Sequence, residues 1–421
     1  MVEEPSPAGE AAAISPLASL WRNRDYLILW GGQAISTAGT QVSRLALPLL
    51  VLALTRSPAQ AGLATSVAIL PYLVLSLLAG ALADRWNRKW VMILCDSGRT
   101  IAAGSIPVAA VTGHLSLVQL YAVALIEGSL NVFFDLAETA ALPRVVGKEQ
   151  LPVAMSQNGA TYSATSLIGQ PLGGLLYQIG HAIPFLADAV SYAVSVISLL
   201  FIRTELQGER DAVVPNLRLE ITEGLAWLWR QPLIRFMAFL GAGAWIPLYG
   251  NYLLVIVLAR HLHASPATIG LIFAANGVGG MLGSLVGGHL GRRFGFAPVV
   301  IASVWIWVLL WPLYAIAPTP LALALITGTI FLVFSIYNVV QMSYRLLLIP
   351  DALQGRVNSA FRLIAFAGMP AGTAVTGALL QGIGNTPAVL LLFVWLLVLA
   401  VITSVNPHVR HALPFSAVRE I

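Results

Sequence analysis

Apolar stretches of 18 or more residues follow one another along almost the whole chain, and charge interrupts them only in short clusters. A run of that length, coiled as a helix, spans the ~30 Å of a bilayer's hydrocarbon. Charged residues are 10% of the 421 and hydrophobic residues 58%, whereas about a quarter of a soluble domain is charged. A water-soluble fold with so little charge would have nothing to cover its surface. The pattern therefore predicts an all-α membrane protein. The 37 glycines and 24 prolines agree with it. Small residues let membrane helices pack closely, and neighbouring groups satisfy the backbone atoms that proline frees.

Twelve transmembrane helices are predicted, near 26–54, 60–82, 91–112, 117–138, 154–178, 182–202, 234–259, 267–290, 297–316, 320–341, 358–381 and 386–404. One long polar stretch, Arg203 to Gln231, separates the sixth from the seventh. Its second half, Glu220 to Arg230, has the pattern of an amphipathic helix lying on a membrane surface. The expected organisation is a disordered cytoplasmic tail over 1–20, a six-helix bundle over 21–202, a linker over 203–232, a second six-helix bundle over 233–405 and a tail over 406–421. The first 20 residues hold Glu3, Glu4, Glu10 and three prolines but no basic residue, the reverse of a secretory leader. Of the 23 Lys and Arg, 18 fall on the side of the termini and linker, two (Arg56 and Arg260) on the other side, and three (Arg44, Arg99, Arg362) inside spans. Both termini are therefore expected in the cytoplasm, with the chain multi-pass in the inner membrane. The net charge of +5 then reports insertion, not nucleic-acid binding.

The halves repeat each other. Gly80-Ala-Leu-Ala-Asp84-Arg85-Trp-Asn answers to Gly288-His-Leu-Gly-Arg292-Arg293-Phe-Gly at an offset of 208, and Leu142-Pro143 answers to Ile349-Pro350 at 207. Two landmarks with one spacing predict a duplicated six-helix unit with a site between the two copies.

Polar residues inside the spans fall into stripes. The first span carries Gln33, Thr37, Thr40 and Arg44, and the fourth carries Glu127, Asn131, Asp135 and Glu138. Steps of three and four put each set on one helix face. An ionisable group facing lipid costs several kcal/mol, so both stripes are expected to line a water-filled cavity. Arg44 and Glu127 are expected to face it together and to pair in one state. Glu127, deep in its span, is the expected proton carrier, because burial disfavours a charged carboxylate. The opposing reading has Arg44 snorkelling outward and Asp135 and Glu138 already in the loop. Trp245, Tyr249 and Asn251 of the seventh span, with Ser335, Asn338 and Gln341 of the tenth, supply a wall of aromatic and neutral polar groups. A cavity charged on one side and aromatic on the other suits amphipathic or weakly cationic organic molecules. Asp96 and Arg99 read as a structural pair bracing the connection between the second and third spans. Asp188 reads as a packing or capping group, and Arg362 as an inter-helix brace.

That connection, Gly80-x-Leu82-x-Asp84-Arg85-x-x-Arg88-Lys89, resembles the signature loop of the major facilitator superfamily, with Asn87 where glycine is usual. Asp96-x-x-Arg99, Phe133-Phe134-Asp135 leading to Ala141-Leu142-Pro143, and Gly355-Arg356-Val357-Asn358-Ser359 are similar to the branch of enterobactin exporters and macrolide-efflux proteins. The chain departs from that branch at Gly39-Thr40, at Leu136-Ala137-Glu138, and in the fifth span, where Gly169-Gln170-Pro171-Leu172-Gly173-Gly174 displaces the usual proline by one position. The resemblance implies two pseudo-symmetric six-helix bundles that rock about a central site. It also implies a conformational gate on the cytoplasmic side, formed by Gly80, Asp84, Arg85, Arg88, Lys89, Asp96 and Arg99 with Arg292 and Arg293 of the second copy. The activity implied is proton-coupled efflux of a drug, macrolide or siderophore-like metabolite. The expected partners are a small-molecule substrate, protons and the bilayer, and the chain is expected as a monomer.

No cofactor or metal is expected. A single Cys95, seven His without ligand spacing and the lack of a Gly-Lys-Ser/Thr loop offer no such site, and Gly277 to Gly283 reads as small-residue helix packing. The rival readings are uptake or facilitated diffusion, a membrane-embedded enzyme, and a sensor. No nucleophile–base pair or appended soluble domain supports the last two.

Overall fold

The computed structural model describes residues 20–83, 86–147, 149–207, 217–413 and 415. Helices α1 (Arg24–Thr55), α2 (Pro58–Ala83), α3 (Arg88–Val111), α4 (Leu117–Val145), α5 (Leu151–Ile179) and α6 (Ile183–Phe201) make up the first half. A linker helix, α7 (Leu217–Arg230), follows. The second half contains α8 (Pro232–His261), α9 (Pro266–Phe294), α10 (Phe296–Leu310), α11 (Leu313–Ile316), α12 (Pro320–Leu348), α13 (Gln354–Phe366), α14 (Gly368–Ile383) and α15 (Asn385–Val405). A helix or helix pair stands at each of the twelve predicted spans. Two spans are broken. The ninth divides at Trp311-Pro312 into α10 and α11, and the eleventh divides at Ala367 into α13 and α14.

Among the described residues, ten of the twelve crossings are long and apolar enough to span a membrane by themselves. The exceptions are α3 and α5. The first carries Arg88, Lys89, Asp96 and Arg99; the second is rich in Ser, Thr, Gln and Asn. Asp96 and Arg99 of α3 and Gln170 of α5 are buried inside the assembly of helices, which is how a polar helix is tolerated at membrane depth.

Helix starts are written locally. Asn23, Ser116, Ser265 and Thr319 each accept a hydrogen bond from a backbone N–H three residues on, at 3.0–3.2 Å. Asn87, where the resembled loop has glycine, does the same for α3 by accepting from the Trp90 N–H at 3.3 Å. The departure from the motif is therefore a working helix cap.

Helices α1 to α6 pack on one another, with α1 and α3 both against α6, and α8 to α15 do likewise around α12 and α8. The two sets meet along two seams, α5 against α9 and α2 against α14. Both seams depend on glycine. A Cβ at Gly270 would lie 2.5 Å from the Gln170 carbonyl oxygen, and one at Gly377 would lie 2.6 Å from that of Pro58. Gly62 and Gly174 approach Thr373 and Pro266 just as closely, and Ser66 donates to the Pro370 carbonyl at 2.8 Å. Gly279 and Gly283 lie against the backbone of α12, so the glycine run of α9 serves helix packing.

The approaches between the two sets lie toward one end of the molecule, the far side, away from the linker and from the first and last described residues. Toward the linker side the same faces part. At about 100° per residue, Met281 and Ser284 continue the stripe of Gly270 and Gly277, yet both are exposed, Met281 at 56%. On α5, Ser156, Ala160 and Ser163 continue the stripe of Leu167, Gln170 and Gly174, and they too are exposed. Exposed serines on a face that is packed one turn further on indicate water there, not lipid. The two sets are closed at the far side and splayed at the linker side.

The linker helix α7 docks on the start of α13. Gly224 lies against the Arg356 backbone, and Arg356 donates to Glu223 at 2.5 Å.

Candidate functional site

Five of the first six helices contribute to one polar network. Its centre is Arg99, 3% exposed, which pairs with the fully buried Asp96 one turn before it. Arg99 also donates to Asn131 Oδ1 at 2.8 Å, and its guanidinium is held between the rings of Phe134 and Tyr192, 4.6 and 4.5 Å from their centroids. A buried guanidinium needs such company, since a charge without partners in low dielectric costs several kcal/mol. Asp96 and Arg99 lie eight and eleven residues into α3, about 12 and 17 Å from Arg88 at 1.5 Å per residue. The structure thus sets them inside the bundle rather than beside the loop they were expected to brace.

The network extends both ways from Arg99. Toward the linker side, Asn131 donates to Asp135 at 3.2 Å and to the Tyr72 hydroxyl at 3.0 Å, and Tyr72 in turn donates to Asp135. Glu138 lies in the field of Asp135, Asp96 and Arg99. Toward the far side, Asp188 is fully buried and accepts from Ser43 and from Ser191. Glu127 faces Asp188 and Arg99, and its Oε1 is buried without a hydrogen-bond partner. Gln33 donates to Ser195 at 3.2 Å, Ser195 stands beside Asp96, and Thr40 shares a 2.9 Å hydrogen bond with Tyr192. Gln33 and Thr40 therefore meet α6, and Thr37 lies half-buried between them. Five carboxyl groups, Asp96, Glu127, Asp135, Glu138 and Asp188, share this region with the single guanidinium of Arg99.

Arg44 stands apart. It is exposed to solvent inside the space between the two sets of helices, and its strongest electrostatic neighbours are the hydroxyls of Tyr162 on α5 and of Tyr249 and Tyr252 on α8. In this conformation Arg44 and Glu127 do not pair. Opposite Arg44, Trp245 is the hub of an aromatic wall. Its ring meets Tyr249, Phe334 and Phe366 edge-on, with centroids at 5.3, 4.9 and 5.8 Å. Asn338 lies half-buried on α12, beside the buried Tyr337.

Of the gate residues expected from the sequence, Gly80 is in the last turn of α2, while Asp84 and Arg85 lie outside the described residues. Arg88 donates to the Ala140 carbonyl at 2.9 Å, and Lys89 donates to that of Ile202 at 2.7 Å. The two cations thus tie the start of α3 to the ends of α4 and α6, where free carbonyls collect. Arg292 and Arg293 are exposed at the end of α9, the latter 5.5 Å from the Phe294 ring centroid.

Sequence reasoning missed Tyr72, Tyr162, Tyr192 and Tyr252, and it gave Asp188 only a packing or capping role. A signal for Asp188 exists: Asp188, Ser191 and Ser195 recur at steps of three and four, a third polar stripe on the sixth span.

Comparison with known proteins places this geometry. The profile of the family described as transmembrane secretion effector matches residues 13–414. The chain is 27% identical over 392 residues to the multidrug efflux pump Tap of Mycolicibacterium fortuitum, covering 89% of this chain and 93% of that protein. It is 27% identical over 355 residues to the enterobactin exporter EntS of Salmonella typhimurium, covering 83% of each. Among solved structures, a bacterial homologue of the human lysosomal transporter Spinster, in an inward-facing, occupied conformation, aligns with a TM-score of 0.74 at 15% identity, over 91% of this chain and 96% of that one. That likeness concerns the fold alone.

Proposed function

The chain belongs to the transmembrane secretion effector family of the major facilitator superfamily and is a multi-pass membrane transporter, not an enzyme; from that premise we propose that it exports amphipathic small molecules by alternating access, in exchange for protons. The two moving bodies are the six-helix sets 21–202 and 233–405, joined by the 203–232 linker. The linker side and both termini face the cytoplasm, the membrane is the inner one, and the chain works as a monomer. In this orientation the conformation is open to the cytoplasm, ready to load cargo for export.

One observation carries the proton coupling: five carboxyl groups around one guanidinium, in low dielectric, inside the helix set that bounds a water-filled cleft. Such an imbalance disfavours full ionisation, so protons can bind and leave as access alternates. The path runs from Asp188 near the far side through Glu127, Arg99 and Asn131 to Asp135 near the linker side. Arg88 and Lys89, with Asp84 and Arg85, serve the cytoplasmic gate, because their helix-end contacts must be remade when the cleft closes. A ligand with differential affinity for the two states drives that change.

Inside-out vesicles with an imposed pH gradient test the proposal. Accumulation of dye or drug inside the vesicles should follow an inward-acidic gradient, and Glu127→Gln should abolish the dependence on pH. Accumulation driven in the opposite direction would establish uptake instead.

A further inference from the structure

Among the described residues, Arg44 is a cation at membrane depth without a counter-ion. No carboxylate among the described residues lies within ion-pair distance of it, and its neighbours are phenols. The carboxyl groups of Asp96, Glu127, Asp135, Glu138 and Asp188 lie on the other side of α1, in the network of Arg99. The reason lies in helix geometry. Ser43 points at α6 and binds Asp188, and Arg44, about 100° further round α1, points at α5 and α8. The guanidinium therefore sits where the two halves converge, just beneath the glycine seams.

The setting is that of a binding pocket. Tyr162 is 54% exposed and stands beside both Arg44 and the buried Gln41. Tyr252 is stacked on Phe273 at 4.3 Å, and its hydroxyl is buried without a hydrogen-bond partner. Tyr249 joins the site to Trp245 and its aromatic wall. A planar cation with five donors, phenol hydroxyls beside it and aromatic faces adjoining describe a receptor for an aryl group that bears an acid.

We propose that Arg44, with Tyr162, Tyr249 and Tyr252, binds the ionised acid group of an aromatic anion, such as an aryl carboxylate, while the Trp245 wall holds its ring. This rests on the export reading and specifies its cargo. It replaces the weakly cationic cargo expected from the sequence, because the acids cluster with Arg99 among α3, α4 and α6, and the charge facing α5 and α8 is positive. Substrate and proton then occupy different walls. The anion binds at Arg44, protons bind at the Glu127 and Asp188 side, and the two couple through α1, which carries Ser43 and Arg44 side by side.

Two dyes of one ring system separate the possibilities: fluorescein, an anion with a free carboxylate, and rhodamine 6G, a cation whose carboxyl is esterified. Binding to the full chain in lipid nanodiscs is read by fluorescence anisotropy. The wild-type protein should bind fluorescein more tightly than rhodamine 6G. Arg44→Gln should weaken fluorescein binding about 10- to 100-fold, the range of a lost charge-assisted hydrogen bond, and should leave rhodamine 6G binding unchanged. That second dye also reports that the variant is folded. Arg44→Lys should restore part of the loss. Tighter binding of rhodamine 6G by the wild type, no binding of fluorescein, or an Arg44→Gln variant with unaltered fluorescein affinity would each overturn the proposal. Dye transport in vesicles keeps this separate from the export reading. Export without charge preference sinks only the Arg44 site. Arg44-dependent binding of the anion with transport in the inward direction sinks only export.

Discussion

The two glycine seams make the resting conformation open to a direct test. A methyl group at Gly377 would sit 2.6 Å from the Pro58 carbonyl oxygen, 3.1 Å from the Gly62 Cα and 3.2 Å from the Ala59 Cα. All three atoms are backbone, so no side chain can rotate away. Reaching ordinary contact near 3.4 Å requires α2 and α14 to separate there by about 0.8 Å, the difference between 3.4 and 2.6. Overpacking of this kind costs about 1–3 kcal/mol, which shifts a two-state equilibrium by about 5- to 150-fold. The cost falls only on the state in which the far side is closed. Gly377→Ala should therefore favour the state open at the far side and closed at the linker side. Gly270→Ala, on the other seam and against Gln170 and Pro171, should do the same, and the two effects should add because the sites share no partner. Maleimide labelling of a cysteine placed at Ser163 reads the result, since that position is exposed in the linker-side cleft and the native Cys95 is buried. Labelling should slow in each alanine variant and slow further in the double variant. A folded double variant that labels at the wild-type rate would refute the assignment of these seams to one state.

Other perturbations follow from the polar network and the aromatic wall. Asp96→Ala leaves the Arg99 guanidinium buried without its carboxylate and should lower stability by about 3–5 kcal/mol, seen as a lower thermal midpoint in detergent. Glu223→Gln removes an ion pair whose members are 42% and 39% exposed; the expected loss is at most about 1 kcal/mol, with no change in the thermal midpoint beyond a few degrees. Trp245→Ala removes three edge-on ring contacts and should destabilise the second half by about 3–5 kcal/mol, while fluorescein affinity falls with it. Ser43→Ala should alter the pH dependence of transport, because Asp188 loses a donor; an unaltered pH profile would exclude Asp188 from the proton path.

The crossings were legible because hydrophobic length is a property of each segment alone. Even α3 and α5, too polar to pass as membrane helices by themselves, were found from the apolar residues flanking their polar ones. The break at Ala367 was less visible, since no proline occupies that position and Gly368 and Pro370 follow it. The polar stripes were legible as stripes, but a stripe does not name the helix it faces. Gln33 and Thr40 share a face with Arg44 on a wheel, yet they meet α6 while Arg44 meets α5 and α8. The expected link between Arg44 and Glu127 failed to appear for that reason: Arg99, one helix away, holds the carboxyl groups. Contacts between helices distant in sequence depend on packing, and packing is not written in the periodicity of any one helix.

The far-side closure is made of main chain lying on main chain, at Gly62, Gly174, Gly270 and Gly377. A barrier built from side chains can flicker open one rotamer at a time and let small ions through. A barrier of peptide groups has no such hinge, so nothing crosses it until entire helices swing apart. Leak and turnover would then be governed by one and the same motion, the parting of α2 from α14 and of α5 from α9.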